Sequence, residues 1–506
     1  MTGILDSLWM GFGVALTPTN LLVALLGSFF GTIVGVLPGL GPINGVAMLI
    51  PIAFALNLPP ETSLIMLAAV YVGAEYGGRI TSILLNVPGE AAAVMTTLDG
   101  YRLARQGLAS VALSLSAWSS FIGSLVGVIG IIFFAPMLAT WALAFGPAEY
   151  FVLMVFAFCA LTSLLGEHPI KGALAALIGL AISTVGVDAN SGVYRYTFDV
   201  PNLSDGIQFV VVVIGLFAVA EMMQMLENRL SGLSIDVPPS QRKLFTFKEL
   251  VFTWWSTLRA SVVGFFIGVL PGAGASVASA VTYAQEKKHY EARDPDAKFG
   301  KGDLRGLAAP EAANNSAATG SFIPMLTLGV PGSGTTAVMM GALTLYNITP
   351  GPVLFEQKPD LVWGLIASLF VANVILFLMN VPMVRVFASM LKVPSWLLVP
   401  AILTISMIGV FALHSATFDL GMVVAIGVLG YFLRKLGMPM PPLVLGVVLG
   451  EMMEQNLRRA LSITNGELNI LWDSPISMGL WFAAIMTMII PVLLRRYQTT
   501  KTRPKN

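Results

Sequence analysis

The chain has 506 residues, of which 56% are hydrophobic and 11% charged, and its mean hydropathy is +0.81. Soluble domains carry about 25% charged residues, so this composition excludes a water-soluble globular protein and marks an integral membrane protein. A net charge of +1 argues against nucleic-acid binding, and a lone Cys159, within an apolar run, excludes a disulfide framework or cysteine metal cluster.

The first ten residues (MTGILDSLWM) lack the basic flank of a cleaved leader and are expected to stay on the mature chain. Residues 4–18 add a short interfacial or spanning helix. The next apolar run, about 21–56, is interrupted at Gly35-Val-Leu-Pro-Gly-Leu-Gly41. Proline removes an N–H and glycine admits left-handed backbone, so the helix must break there. Broken backbone inside a bilayer is tolerated only where protein buries it or where it lines a cavity. The run 62–98 is too long for one straight helix and is broken by Asn86-Val-Pro-Gly-Glu90. It carries Glu75, Tyr76, Arg79, Thr81 and Ser82. Arg79 is the first cationic residue of the chain, and Glu75 lies four positions before it on the same helical face. The two form a buried ion pair, a gate, or a means of neutralising an anionic substrate. Glu90 and Glu311 read either as helix-end charges or as proton carriers. Asp99, Arg102 and Arg105 read as a cytoplasmic loop. Apolar runs near 110–140, 148–166, 170–188 and 207–228 complete the first half.

Five Lys or Arg fall in 229–259, six in 287–305, and the tail from Arg495 is again basic. The positive-inside rule assigns all three regions to the cytoplasm. The apolar run 261–285 then begins and ends on one side, as a re-entrant hairpin broken at Gly268-Val-Leu-Pro-Gly-Ala-Gly274 would. The equivalent run 21–56 has no basic flank and is assigned to the opposite face, making the halves an inverted repeat. The offset between halves is 233 residues at this motif and 243 at Asn86-Val-Pro-Gly against Gly329-Val-Pro-Gly, with Gly77 matching Gly320. At Phe145-Gly-Pro against Lys392-Val-Pro it is 247. Further runs lie near 306–345, 361–390, 395–413, 419–433, 440–456 and 476–494. Arg458-Arg459 would fall outside the cytoplasm and does not fit this count.

The expected fold is an all-α polytopic membrane protein of two inverted-topology repeats with re-entrant hairpins and discontinuous helices, about 11–13 membrane segments in all. The expected parts are an N-terminal helix (1–20), a first repeat (21–228), a cytoplasmic linker (229–250), a second repeat (251–494, containing the polar loop 287–305) and a basic tail (495–506).

Polar groups concentrate at the breaks. A helix restarting after Pro-Gly presents unpaired N–H groups and the positive end of its dipole, which suits a carboxylate. The half that ends there presents carbonyls, which with Asn and Thr suit Na⁺. The expected substrate contacts are Pro38, Gly39, Gly41, Asn44, Arg79, Asn86, Pro88, Gly89, Pro271, Gly272, Gly274, Ser276, Pro331, Gly332, Ser333, Gly334 and Thr335. Expected ion ligands are Asn44, Asn86, Asn314, Asn315 and Thr319. The alternative is that these glycines only let helices cross closely. His168, His289 and His414 lack metal-ligand spacing. Gly300-Lys-Gly-Asp303 reads as a turn, Gly332-Ser-Gly334 has no accompanying base, and there is no P-loop. No catalytic residue, metal or cofactor is expected besides the coupling ion.

The strings GTIVGVLPGLGPINGVAMLIP (31–51), YGGRITSILLNVPGE (76–90), GVLPGAG (268–274) and LGVPGSGTTAVMMGAL (328–343) resemble the large membrane subunit of the tripartite tricarboxylate transporters. The resemblance covers about residue 18 to beyond 430. It implies a non-enzymatic, multi-pass symporter of the bacterial inner membrane, coupled to Na⁺ or H⁺. It also implies a small four-helix membrane subunit and a periplasmic protein that delivers a carboxylate such as citrate. A polytopic membrane enzyme and a passive anion channel are the alternatives.

Overall fold

The computed structural model describes residues 2–37, 39–165, 169–188, 191–228, 244–272, 274–294, 296–383, 386–387, 395–414 and 416–501. Pro38, His168, Arg229, Arg242, Lys243, the Lys392-Val-Pro motif and the end of the basic tail lie outside them, as does most of the expected linker.

The first half runs α1 (Thr2–Ala15), α2 (Pro18–Val36), α3 (Gly41–Ala55), α4 (Pro60–Leu85), α5 (Val94–Leu103), α6 (Ala109–Ala142), α7 (Pro147–Leu165) and α8 (Pro169–Ser183). A short antiparallel pair follows, β1 (Gly186–Val187) with β2 (Tyr194–Arg195), then α9 (Phe209–Val213), a π-helical turn (Ile214–Val219) and α10 (Ala220–Asn228). The second half runs α11 (Phe247–Val269), α12 (Gly274–Glu291), α13 (Leu304–Gly320), α14 (Phe322–Leu328), α15 (Gly334–Leu345), α16 (Leu354–Gln357), α17 (Pro359–Asn380), α18 (Ser395–His414), α19 (Thr417–Lys435), α20 (Met440–Ile463) and α21 (Pro475–Lys501). Six helical stretches among the described residues are long and apolar enough to cross a membrane, and shorter apolar helices accompany them. This is a helical membrane protein.

Two helices form its interior. Residues Thr62 to Leu84 of α4 are all buried, as are Arg305 to Gly320 of α13. With no water to expel between helices in lipid, close packing of small residues holds such elements together. A Cβ at Gly35 of α2 would lie 2.0 Å from the Ala74 carbonyl oxygen on α4. One at Gly268 of α11 would lie 2.2 Å from that of Ala317 on α13. The next turn repeats the match, Gly31 against Val70 and Gly264 against Ala313. The sequence offsets of 233 and 243 are therefore reproduced in packing. Both hairpins fold back on themselves: Val34 of α2 touches Gly45 of α3, and Arg259 of α11 grips Glu286 of α12 through bonds of 2.9 and 2.8 Å.

Asp99, Arg102 and Arg105 correct the expectation of a loop. Asp99 and Arg102 are helical, and a turn around Gly107 (φ 76°) bends α5 into α6 without releasing the chain. Asp99 is fully buried and accepts from the Tyr283 hydroxyl and from the backbone N–H groups of Gly300, Gly302 and Asp303 at 2.8–3.0 Å. Gly300-Lys-Gly-Asp303 is the expected turn, wrapped around that carboxylate. Burial would raise the Asp303 pKa, but Arg305 and the Lys298 and Arg305 amides hold it below the usual value. Arg458, which did not fit the expected count, sits in an ion cluster. Asp188 and Glu454 bind it at 2.7 and 2.6 Å, and Arg195 of β2 joins the same cluster.

Candidate functional site

Four interruptions of helix, distant in sequence, line a single cleft of about 550 Å³. In the first, Gly39 and Gly41 take φ of 91° and 60°; in the matching position Gly272 and Gly274 take 79° and 64°. α4 ends at Asn86 (φ 57°, ψ 27°) and α14 at Gly329 (φ 66°, ψ 27°), both left-handed. The chain then extends through Pro-Gly to Glu90 (φ −147°, ψ 169°) or Ser333 (φ −150°, ψ 169°) before helix resumes. Asn86 stands where its counterpart is glycine because asparagine tolerates the left-handed region that ends a helix.

Three helices of at least 12 residues begin at the cleft wall: α3 at Gly41, α12 at Gly274 and α15 at Gly334. No side chain caps the start of α3, whereas Ser333 and Thr336 cap α15 reciprocally. Converging helix starts give the cleft a positive backbone potential. Arg434, at the end of α19, adds a cationic side chain. It pairs with Glu221 of α10 and donates to the Leu216 carbonyl at 2.9 Å, in the π-helical turn. Its Nε has no hydrogen-bond partner among the described residues.

Of the expected substrate contacts, Gly39, Gly41, Asn44, Pro88, Gly89, Gly274, Ser276, Ser333, Gly334 and Thr335 line the cleft. Pro271, Gly272, Pro331 and Gly332 shape its breaks from behind: Gly272 lies against Leu161 of α7 and Gly332 against Ser321. Arg79 is buried away from the cleft lining. Its Nη1 donates to Ser120 at 3.4 Å, and the guanidinium lies 4.7 Å from the centre of the Tyr76 ring. The Glu75–Arg79 ion pair is not formed. Arg79 is linked instead to Glu311 through Ser120, and Thr96 also donates to that carboxylate. Glu75 turns into the cleft.

The expected ion ligands are not gathered at one point. Asn44 lines the cleft and bonds the Gly39 and Leu40 carbonyls. Asn314 donates to Glu90 at 3.2 Å, and Asn315 to the Glu311 carbonyl at 3.1 Å. Thr319 packs against Gly127 of α6, and Asn86 is exposed. Tyr71, Phe217, Arg434, Met438, Met440 and Pro441 also line the cleft and were not singled out from sequence. Arg434 had one readable signal, a basic residue closing an apolar run.

Residues 21–445 match the tripartite tricarboxylate transporter TctA family. The chain belongs to this family. It is 39% identical over 496 residues, 97% of both chains, to an uncharacterized 52.8 kDa protein in the TAR-I ttuC' 3'region of Agrobacterium vitis. An uncharacterized protein in the TAR-II ttuC' 3'region of the same organism is 40% identical over 230 residues, covering 46% of this chain and 94% of that one. No solved structure matches. TctA proteins are transporters, so the cleft belongs to a transport subunit of a tripartite system.

Proposed function

We propose that this chain is the large membrane subunit of a secondary transporter that carries a di- or tricarboxylate, citrate-like in size and charge, into a bacterial cell across the inner membrane. Transport is symport with Na⁺ or H⁺. A periplasmic binding protein delivers the acid, and a small four-helix membrane subunit completes the assembly. The observation that carries this reading is the convergence of four helix breaks and Arg434 on one cleft, which unites main-chain N–H groups and a guanidinium around a space suited to a small polyanion. Substrate carboxylates sit at the starts of α3, α12 and α15, and Arg434 exchanges part of its bond with Glu221 for the substrate.

The matching geometry of the two halves supports an inverted repeat, with the α2–α3 and α11–α12 hairpins re-entrant from opposite faces. Movement of the hairpin-bearing part against the remaining helices then opens the cleft alternately to each side. The test is uptake of radiolabelled citrate, malate, tartrate and succinate by vesicles containing the whole tripartite system, with Na⁺ and pH gradients imposed separately. Accumulation that needs both a gradient and the binding protein supports symport. Equilibration without a gradient would indicate a channel, and chemical conversion of the acid an enzyme.

A further inference from the structure

The cleft contains a feature that opposes anion binding. Glu75 and Glu90 both line it, and both are buried, with 2% and 9% of their surface exposed. Glu90 packs against α4 one turn from Glu75, which places the two side chains as neighbours in the cleft. The sequence arranges this contact through Gly78, one turn after Glu75. A Cβ there would lie 2.7 Å from the Glu90 Cγ, so the bare glycine lets Glu90 lie across α4. Asn314 donates to Glu90, while Oε2 of Glu75 has no hydrogen-bond partner among the described residues.

Among the described residues, the cations nearest the pair are engaged by other groups. On α4, Tyr71 bonds Ser321 and Ser333 at 3.3 and 3.1 Å, and Arg79 is linked to Glu311 of α13 through Ser120. Arg434 of α19 is engaged by Glu221 of α10. Asn44 of α3, Ser276 of α12 and Thr335 of α15 carry no charge. Two buried carboxylates that are neighbours in one cleft cannot both stay ionised at ordinary cost; such a pair holds one proton between them. A second proton removes the charge that remains, and a dianion or trianion entering the same cleft then meets one negative charge fewer.

We propose that Glu75 and Glu90 are the coupling site of the transporter, a shared-proton pair that must take up a second proton before the carboxylate substrate binds. This rests on the symport reading above and narrows its ion to H⁺. A second proton enters from the outer side and leaves both carboxyl groups neutral. The neutralised cleft then accepts the acid, and both leave on the inner side. Each half of the chain contributes. α4 carries Glu75, the first-half break carries Glu90, and the second-half α13 supplies the orienting Asn314.

The test uses the complete tripartite system in liposomes and the radiolabelled acid, among citrate, malate, tartrate and succinate, that wild type takes up fastest. With one proton per substrate, each pH unit of imposed gradient is worth about tenfold in accumulation. Wild type is expected to show this at equal Na⁺ on both sides. Glu75→Gln and Glu90→Gln should lose about tenfold in pH-driven accumulation relative to their own rate of substrate exchange. Glu75→Asp, which keeps an acid, should retain the pH dependence. In weakly buffered detergent solution, addition of the acid and its binding protein should draw protons from the medium with wild type and not with either Gln variant. Undiminished pH-driven accumulation in the Gln variants would overturn the proposal, as would wild-type accumulation driven by Na⁺ alone. Wild type that exchanges none of the four acids would instead remove the transport reading, and the coupling site with it.

Discussion

At the scale of single residues, the charged side chains divide by what surrounds them. Arg79 and Glu311 are buried and bridged by Ser120, with Thr96 completing the network. Removing one member of such a pair leaves an uncompensated charge and costs about 3–5 kcal/mol, whereas replacing both by apolar groups is close to neutral. Arg79→Leu is therefore expected to lower the thermal midpoint of the detergent-solubilised protein strongly. Arg79→Leu with Glu311→Leu should recover most of that loss. Additive losses in a double-mutant cycle would show that the two do not act as a pair. Arg434 is different, because it borders the cleft with an unsatisfied Nε. Arg434→Gln, whose amide can still donate to Glu221, should weaken carboxylate uptake by about 2 kcal/mol, roughly thirtyfold in KM. A wild-type KM in that variant would separate Arg434 from the substrate.

At the scale of elements, the two hairpins and the two broken crossings rest on glycine contacts that tolerate no side chain. Gly35→Val and Gly268→Val each force a branched side chain into a carbonyl oxygen of the neighbouring helix. Each should cost about 3 kcal/mol or more. Gly421→Val on α19 has open space around its Cβ and should change the thermal midpoint little. Equal midpoints for all three variants would mean that α2 and α11 do not need their close approach. These same elements were the legible part of the sequence. The Pro-Gly interruptions announced where helices stop, and their spacing announced that the halves correspond, because proline and glycine act through local backbone sterics. What a side chain faces was much less legible. Periodicity puts Glu75 and Arg79 on one helical face, yet one faces the cleft and the other Glu311, since the partner is chosen by elements far away in sequence. Asp99 read as a loop residue for the same reason: its four donors come from Tyr283 and from the turn at 300–303.

At the scale of the whole molecule, the correspondence of the halves bears on how the cleft changes sides. The first half supplies Gly41 and the second Gly274 as helix starts on the same cleft, and both sit in matched hairpins. A cleft built from two such arms has two equivalent ways to open, one by each arm, if the arms approach from opposite faces. Ser276 and Thr335 line the cleft with ordinary backbone and can be replaced by cysteine without strain, in a background where Cys159 is serine. Each cysteine should react with an impermeant thiol reagent from either side of the membrane. Adding the binding protein with its acid should raise labelling from one side and lower it from the other, in the same proportion at both positions. Labelling from one side only, unchanged by substrate, would mean a cleft that never turns over, and the matched halves would then serve packing alone.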